Sequence, residues 1–176
     1  MILLDGLMYT IGQALGIAAV ILGFVSYQMK TSRGIIVLQM VTAMVFAGHY
    51  YLIGAFTAAV LNFLAGIKCV VYYFRDKRGG RSPIEPVIFA LVVVVSTVLT
   101  WEGWYSALIM VGLVVDTVGL ALNDPQKTRA LLFVKSPLCL VYNALVASVG
   151  GVVYECMVLI SAVIGLVKYR NKEENR

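Results

Sequence analysis

Asn62, Lys68, Asp116 and Lys135 stand inside runs otherwise oily enough for lipid, and His49, Asn143 and Glu155 lie nearer the ends of such runs, where Glu155 is read either as an interfacial carboxylate or as a cavity-lining one. A charge at mid-bilayer costs about 2.5–3.5 kcal/mol on insertion scales, so side chains of this kind face protein or water and mark binding sites or ion paths. Their chemistry is recognition rather than bond making. An amide such as Asn62 or Asn143 presents both donors and acceptors, and a carboxylate such as Glu155 accepts from cations and polar hydrogens or titrates. Asn62, Glu155, Asn143 and His49 are therefore the candidate substrate-binding residues. His49 has a second reading, as a hydrogen-bonded link between helices.

Depth sorts the remaining groups, at a rise of 1.5 Å per helical residue. Thr42, Asn62, Ser96 and Ser161 fall near the middle of their runs, and Gln28, Gln39, Lys68, Asp116 and Lys135 fall toward one end. Asp116 has too short a stem to reach a surface and shares its depth with Lys135. The two are expected to pair, either as a structural ion pair or as a gate. Lys68 is two helical turns from Arg75 and can extend along its apolar stem to the surface. Pro137, just after Lys135, removes a backbone donor from its helix and is either a hinge or a plain bend.

Enzyme chemistry is not expected. The sequence has no GxxxxGK phosphate loop, no HExxH and no CxxC, and a lone histidine leaves little for hydrolysis. No cofactor and no metal site follow from these residues. Cys69, Cys139 and Cys156 all sit in apolar runs, which fits small packing residues rather than a disulfide framework.

The elements that carry these residues follow from composition. The chain of 176 residues is 61% hydrophobic and 13% charged, with mean hydropathy +0.91. Soluble domains carry about a quarter charged residues, so these charges cannot cover a globular surface. The net charge of +5 does not point to nucleic acid, because the charges flank the apolar runs. An integral membrane protein with no soluble domain is expected, and the lipid bilayer is its first partner. Assembly into a homo-oligomer is left open. Met1–Thr10 lacks the basic residue a signal peptide needs, so the first apolar run is read as a retained span.

Runs of about 17–25 residues suffice to cross the hydrocarbon as helices. Seven are expected, for an all-α polytopic fold: Tyr9–Gln28, Gly34–Leu52, Ala55–Phe74, Pro86–Thr100, Trp104–Leu122, Arg129–Ala147 and Val152–Tyr169. Gly54, Gly103 and the Gly150–Gly151 pair are the expected joints. Lys and Arg set the orientation. Lys30 and Arg33, then Arg75, Lys77, Arg78 and Arg81, then Lys127 and Arg129, and finally Lys168, Arg170, Lys172 and Arg176 all fall at one end. The opposite connections hold Asp5 and Glu102 and no Lys or Arg. The N-terminus is expected outside and the C-terminus in the cytoplasm. Tyr50, Tyr51, Trp101, Trp104 and Tyr105 at the outer ends read as an aromatic belt.

The stretch His49–Arg75 aligns without gaps on Tyr142–Lys168, with Asn62 on Glu155, Ala58 on Gly151 and Arg75 on Lys168. The basic loops QMKTSR and PQKTR also correspond. The expected layout is one transmembrane domain over 1–176: a repeat at about 9–75, a linker helix at about 86–100, a second repeat at about 104–170 and a cytoplasmic tail at 171–176. An odd linker keeps both triplets in one orientation. Parallel repeats of this kind hold a substrate site near the bilayer midplane, where they meet.

The Gln13–Gly16 start, HYYLIG (His49–Gly54) leading to Asn62, and YNALVASVGG (Tyr142–Gly151) leading to Glu155 carry a resemblance. Over Gln13–Arg170 the chain resembles the bacterial inner membrane protein YgjV family. That family usually has His-Asn where this chain has Tyr142-Asn143. The resemblance implies a cytoplasmic-membrane protein and no established activity. The three-one-three plan also looks like that of SWEET sugar carriers, PQ-loop proteins and PnuC vitamin carriers, and Pro125-Gln126 is similar to the PQ motif. The expectation is a secondary transporter of a small polar metabolite working by alternating access. Its alternative is a non-transporting scaffold that binds a partner.

Overall fold

The computed structural model describes residues 2–28, 32–78, 84–122 and 125–173. Lys30, Arg81 and Arg176, three of the charges used for orientation, lie outside the described residues. Among the described residues the chain forms seven α-helices and no strand: α1 (Ile2–Gln28), α2 (Ser32–Leu52), α3 (Phe56–Arg78), α4 (Ile84–Leu99), α5 (Ser106–Ala121), α6 (Pro125–Leu145) and α7 (Val149–Glu173). Two apolar stretches, Gly6–Ser26 in α1 and Phe56–Phe74 in α3, are long enough to cross a membrane. Ile36–Leu52, Ile84–Leu99, Ser106–Gly119, Ala130–Leu145 and Val149–Ile164 are shorter apolar helices.

Packing follows chain order. α2 lies between α1 and α3, and α6 lies between α5 and α7. α4 bridges α3 and α5, α3 also touches α5, and α1 packs on α7 to close the ring. Large apolar side chains face outward on every helix, while small polar ones are buried beside the apolar core. Ile21, Tyr51, Phe63, Val98, Val111, Val134 and Ile160, one from each helix, are exposed. Ser26, His49, Thr57, Thr97, Ser106, Ser136 and Ser148 are fully buried. Hydroxyls are kept inside by bonding to their own helix, as in Thr42 to the Leu38 carbonyl (2.8 Å), Thr97 to Val93 (2.8 Å) and Thr117 to Leu113 (2.8 Å). Such back-bonding satisfies a polar hydrogen where no water can.

Two joints differ in kind. Gly54 has φ +82° and makes the α2–α3 turn as expected. The α6–α7 turn does not use Gly150 and Gly151. It uses Ala147, with φ 52°, and α7 starts at Val149, before both glycines. Ser148 explains the early start. Its Oγ accepts from the Gly151 amide (3.1 Å), an N-cap of the first turn. The glycines serve packing instead. A Cβ on Gly150 would lie 2.6–2.8 Å from the Gly16 backbone, and one on Gly151 2.2 Å from Asn143 Oδ1. Pro125 likewise is not in a loop but opens α6, where its missing N–H is harmless.

The small face of α3 is buried as its spacing requires. Ala55, Ala58 and Ala59 are buried, and Gly66 sits against Met44 of α2. Of the cysteines, Cys139 is buried, Cys69 half-buried and Cys156 exposed, so the last is not a core residue.

Candidate functional site

The interior polar groups fall into two layers. At the end of the bundle away from the clustered Lys and Arg, His49 on α2 is fully buried. Its Nδ1 meets the Gly12 carbonyl at 2.7 Å and its Nε2 meets Ser148 Oγ at 2.7 Å. A carbonyl only accepts, so the ring proton is assigned to Nδ1 and Ser148 donates to Nε2. Ser148 in turn accepts from Gly151. One neutral tautomer thus ties α1, α2 and α7 together with every group satisfied. His49 is a link between helices and has no nitrogen left for a substrate. Gly16 makes room for it, since a Cβ there would meet the imidazole at 2.9 Å. His49→Ala is expected to cost about 2–4 kcal/mol through the cavity and two stranded partners. A thermal melt checks this.

At the same level Tyr50 Oη donates to Asn143 Oδ1 at 2.6 Å, and both residues are buried. This bond joins α2 to α6, the middle helices of the two triplets, across the ring. Phe46, Tyr50 and Tyr154 stack around it, with Phe46 edge-to-face on Tyr154 at 5.2 Å.

Two further contacts close the same end. The Glu102 carboxylate, ahead of α5, accepts from the Phe56 and Thr57 amides at 2.8 and 3.1 Å. It caps the start of α3, where unpaired N–H groups and the helix dipole favour an anion. Thr57 also donates to the Thr100 carbonyl. Gln13 of α1 does the corresponding work at α7, accepting from the Val149 amide (3.2 Å) and donating to the Ala147 carbonyl (2.7 Å). Neither cap was foreseen from sequence. An acidic residue beside a turn is the signal for the first, but its partner helix is 45 residues away.

The second layer is charged. The expected Asp116–Lys135 pair is not formed. Asp116 on α5 pairs with Lys68 on α3 at 3.1 Å, and Lys135 on α6 pairs with Glu155 on α7 at 3.5 Å. Lys68 therefore does not extend to the surface. It is buried and held by a carboxylate because α3 touches α5. Asp116 and Lys135 remain within electrostatic reach of one another. The four charges sum to zero. Glu155 Oε2, Tyr142 Oη and Ser136 Oγ are buried with no hydrogen-bond partner among the described residues.

Asn62 does not meet Glu155. Its Nδ2 donates to the Ala58 carbonyl of its own helix at 3.0 Å, the same device used by the threonines. Pro137 is exposed, and α6 runs through it as one helix. The structure brings together Asn143, Glu155 and Lys135 with Tyr50, and leaves Asn62 and Pro137 apart. Tyr50, which the sequence reading assigned to an aromatic belt, belongs to the site.

Apolar outward faces around a polar, charge-paired interior define an all-helical membrane protein. The chain belongs to the Imp-YgjV family, described as bacterial inner membrane protein, which matches residues 10–173. No curated protein and no solved structure matches the chain.

Proposed function

We propose that the chain is a seven-span secondary transporter that moves a small polar metabolite across the inner membrane by alternating access. The moving bodies are two parallel triple-helix repeats, α1–α3 and α5–α7, joined by α4. One observation carries the reading: Tyr50 bonds Asn143, and these residues are 93 apart, the same offset that places Asn62 on Glu155. A residue that touches its own repeat counterpart lies on a pseudo-twofold axis. The turn residues of positive φ, Gly54 and Ala147, have the same offset, and each triplet caps the third helix of the other. The three-one-three order is the feature this plan has in common with SWEET-type carriers.

The Lys and Arg at one end support an N-terminus outside and a cytoplasmic C-terminus. In this reading Glu155, Asn143, Tyr50 and Lys135 face the substrate. Lys68–Asp116, in place of the expected Asp116–Lys135 pair, holds the cytoplasmic side of the seam. No covalent chemistry is assigned to the chain. The rival is a rigid scaffold, favoured by the complete satisfaction of His49.

Cys139 separates the two, because it is buried within electrostatic reach of Lys135 and Glu155. In a variant carrying Cys69→Ser and Cys156→Ser, a membrane-impermeant maleimide is applied to right-side-out and to inside-out vesicles. Labelling of Cys139 from both faces is the expected result. Labelling from neither face, or from one only, overturns alternating access.

A further inference from the structure

Lys135 and Glu155 are almost out of reach of water, with side chains 12% and 7% exposed. Their contact is loose. At 3.5 Å it exceeds the roughly 2.7–2.9 Å of a well-made charge-assisted hydrogen bond. Glu155 Oε2 has no partner among the described residues, and an ammonium has three hydrogens to offer.

Charge balance restricts what can enter such a site. A cationic solute on Glu155 would draw the carboxylate from Lys135 and leave that ammonium without a partner. Asp116 cannot replace it cheaply, since Lys68 already holds Asp116 at 3.1 Å. An anionic solute on Lys135 would strand Glu155 in the same way. Breaking a buried pair by removing one partner is strongly destabilising. A solute carrying both charges avoids this, because its ammonium meets Glu155 and its carboxylate meets Lys135, and the net charge of the interior stays at zero.

We infer that the solute of the transport reading above, on which this rests, is a small zwitterion of the amino-acid type, seated between Glu155 Oε2 and the Lys135 ammonium.

The test is thermal unfolding of the purified full chain in detergent with each of the twenty free amino acids. Those that stabilise are repeated as the amide, which is a cation, and as the N-acetyl derivative, which is an anion. Glucose and glycerol serve as uncharged probes. At least one amino acid is expected to raise the midpoint by about 5–10 °C at a hundredfold excess over its Kd. Its amide and N-acetyl forms should do nothing. The double variant K135M/E155Q, which strands no charge, should stay folded and lose the response.

Stabilisation by the uncharged probes alone, by one charged derivative as strongly as by the parent, or by none of the twenty overturns the inference. So does a response that survives in K135M/E155Q. If Cys139 is labelled from both faces while no amino acid binds, transport stands and the zwitterion falls. If amino acids bind while Cys139 is closed to both faces, the site stands and transport falls.

Discussion

Glu155→Gln alone is expected to destabilise the protein by about 3–5 kcal/mol, because it leaves the Lys135 ammonium buried opposite a neutral amide. Lys135→Met should cost a similar amount by stranding the carboxylate. The two together should come back close to the starting stability, since no unpaired charge remains and methionine fills the volume of the lysine stem. The coupling is read from a double-mutant cycle on thermal unfolding in detergent. The cycle bears on the geometry directly. Two residues that merely border one another would give single effects below about 1 kcal/mol that add, as exposed pairs do. A large, strongly non-additive pair requires both charges to be shielded from water, as the 3.5 Å contact of two buried side chains implies.

Gly150→Ala should be as damaging for a different reason. The new Cβ would lie 2.6 Å from the carbonyl carbon and 2.7 Å from the Cα of Gly16. Both atoms are backbone, so no rotamer change relieves the contact and α1 must move off α7. Overpacking of this sort costs about 1–3 kcal/mol where side chains can shift, and more is expected here. The ring is closed at this crossing, so folded, monodisperse protein on size-exclusion chromatography should fall sharply. Gly23→Ala and Gly6→Ala are the comparisons. The first meets the ring of Tyr154, which can turn, and the second meets nothing within 4 Å. Their losses should be moderate and negligible, respectively.

The helices were legible because each apolar run ends at a charge or a turn residue, and Gly54 marked its turn. The Gly150–Gly151 pair misled because glycine signals two things at once, a backbone that can turn and a surface that can be approached. Here the approach decided, and Ser148 supplied the helix start. Depth along a helix could be counted from sequence, which put Lys68, Asp116 and Lys135 at one level, but the same count put Glu155 near the opposite end, and the long lysine stem spans that difference to pair with it. Which lysine Asp116 takes depends on direction around the helix axis and on which helices touch. α3 reaches α5, and no local pattern announces that. Asn62 shows a related failure. The ungapped alignment sets it on Glu155, but an amide can satisfy itself on its own helix and a carboxylate cannot, so the two residues do not meet. Tyr50 falls on Asn143 in the same alignment. Asn143 was a candidate from the start, but Tyr50 was passed over because a tyrosine near the end of an apolar run is usually an interfacial anchor.

The central claim is that the two triplets move apart about the Tyr50–Asn143 contact. Tyr51 and Ala144 lie near the C-terminal ends of α2 and α6, and both are exposed. Spin labels on Tyr51→Cys and Ala144→Cys, with the three native cysteines replaced by serine, report the separation of the triplets by pulsed dipolar spectroscopy in lipid nanodiscs. The account predicts two distance populations, with Asn143→Ala, which removes the bond, shifting weight toward the longer one. One narrow distance, unchanged by Asn143→Ala, would contradict it and leave a rigid bundle.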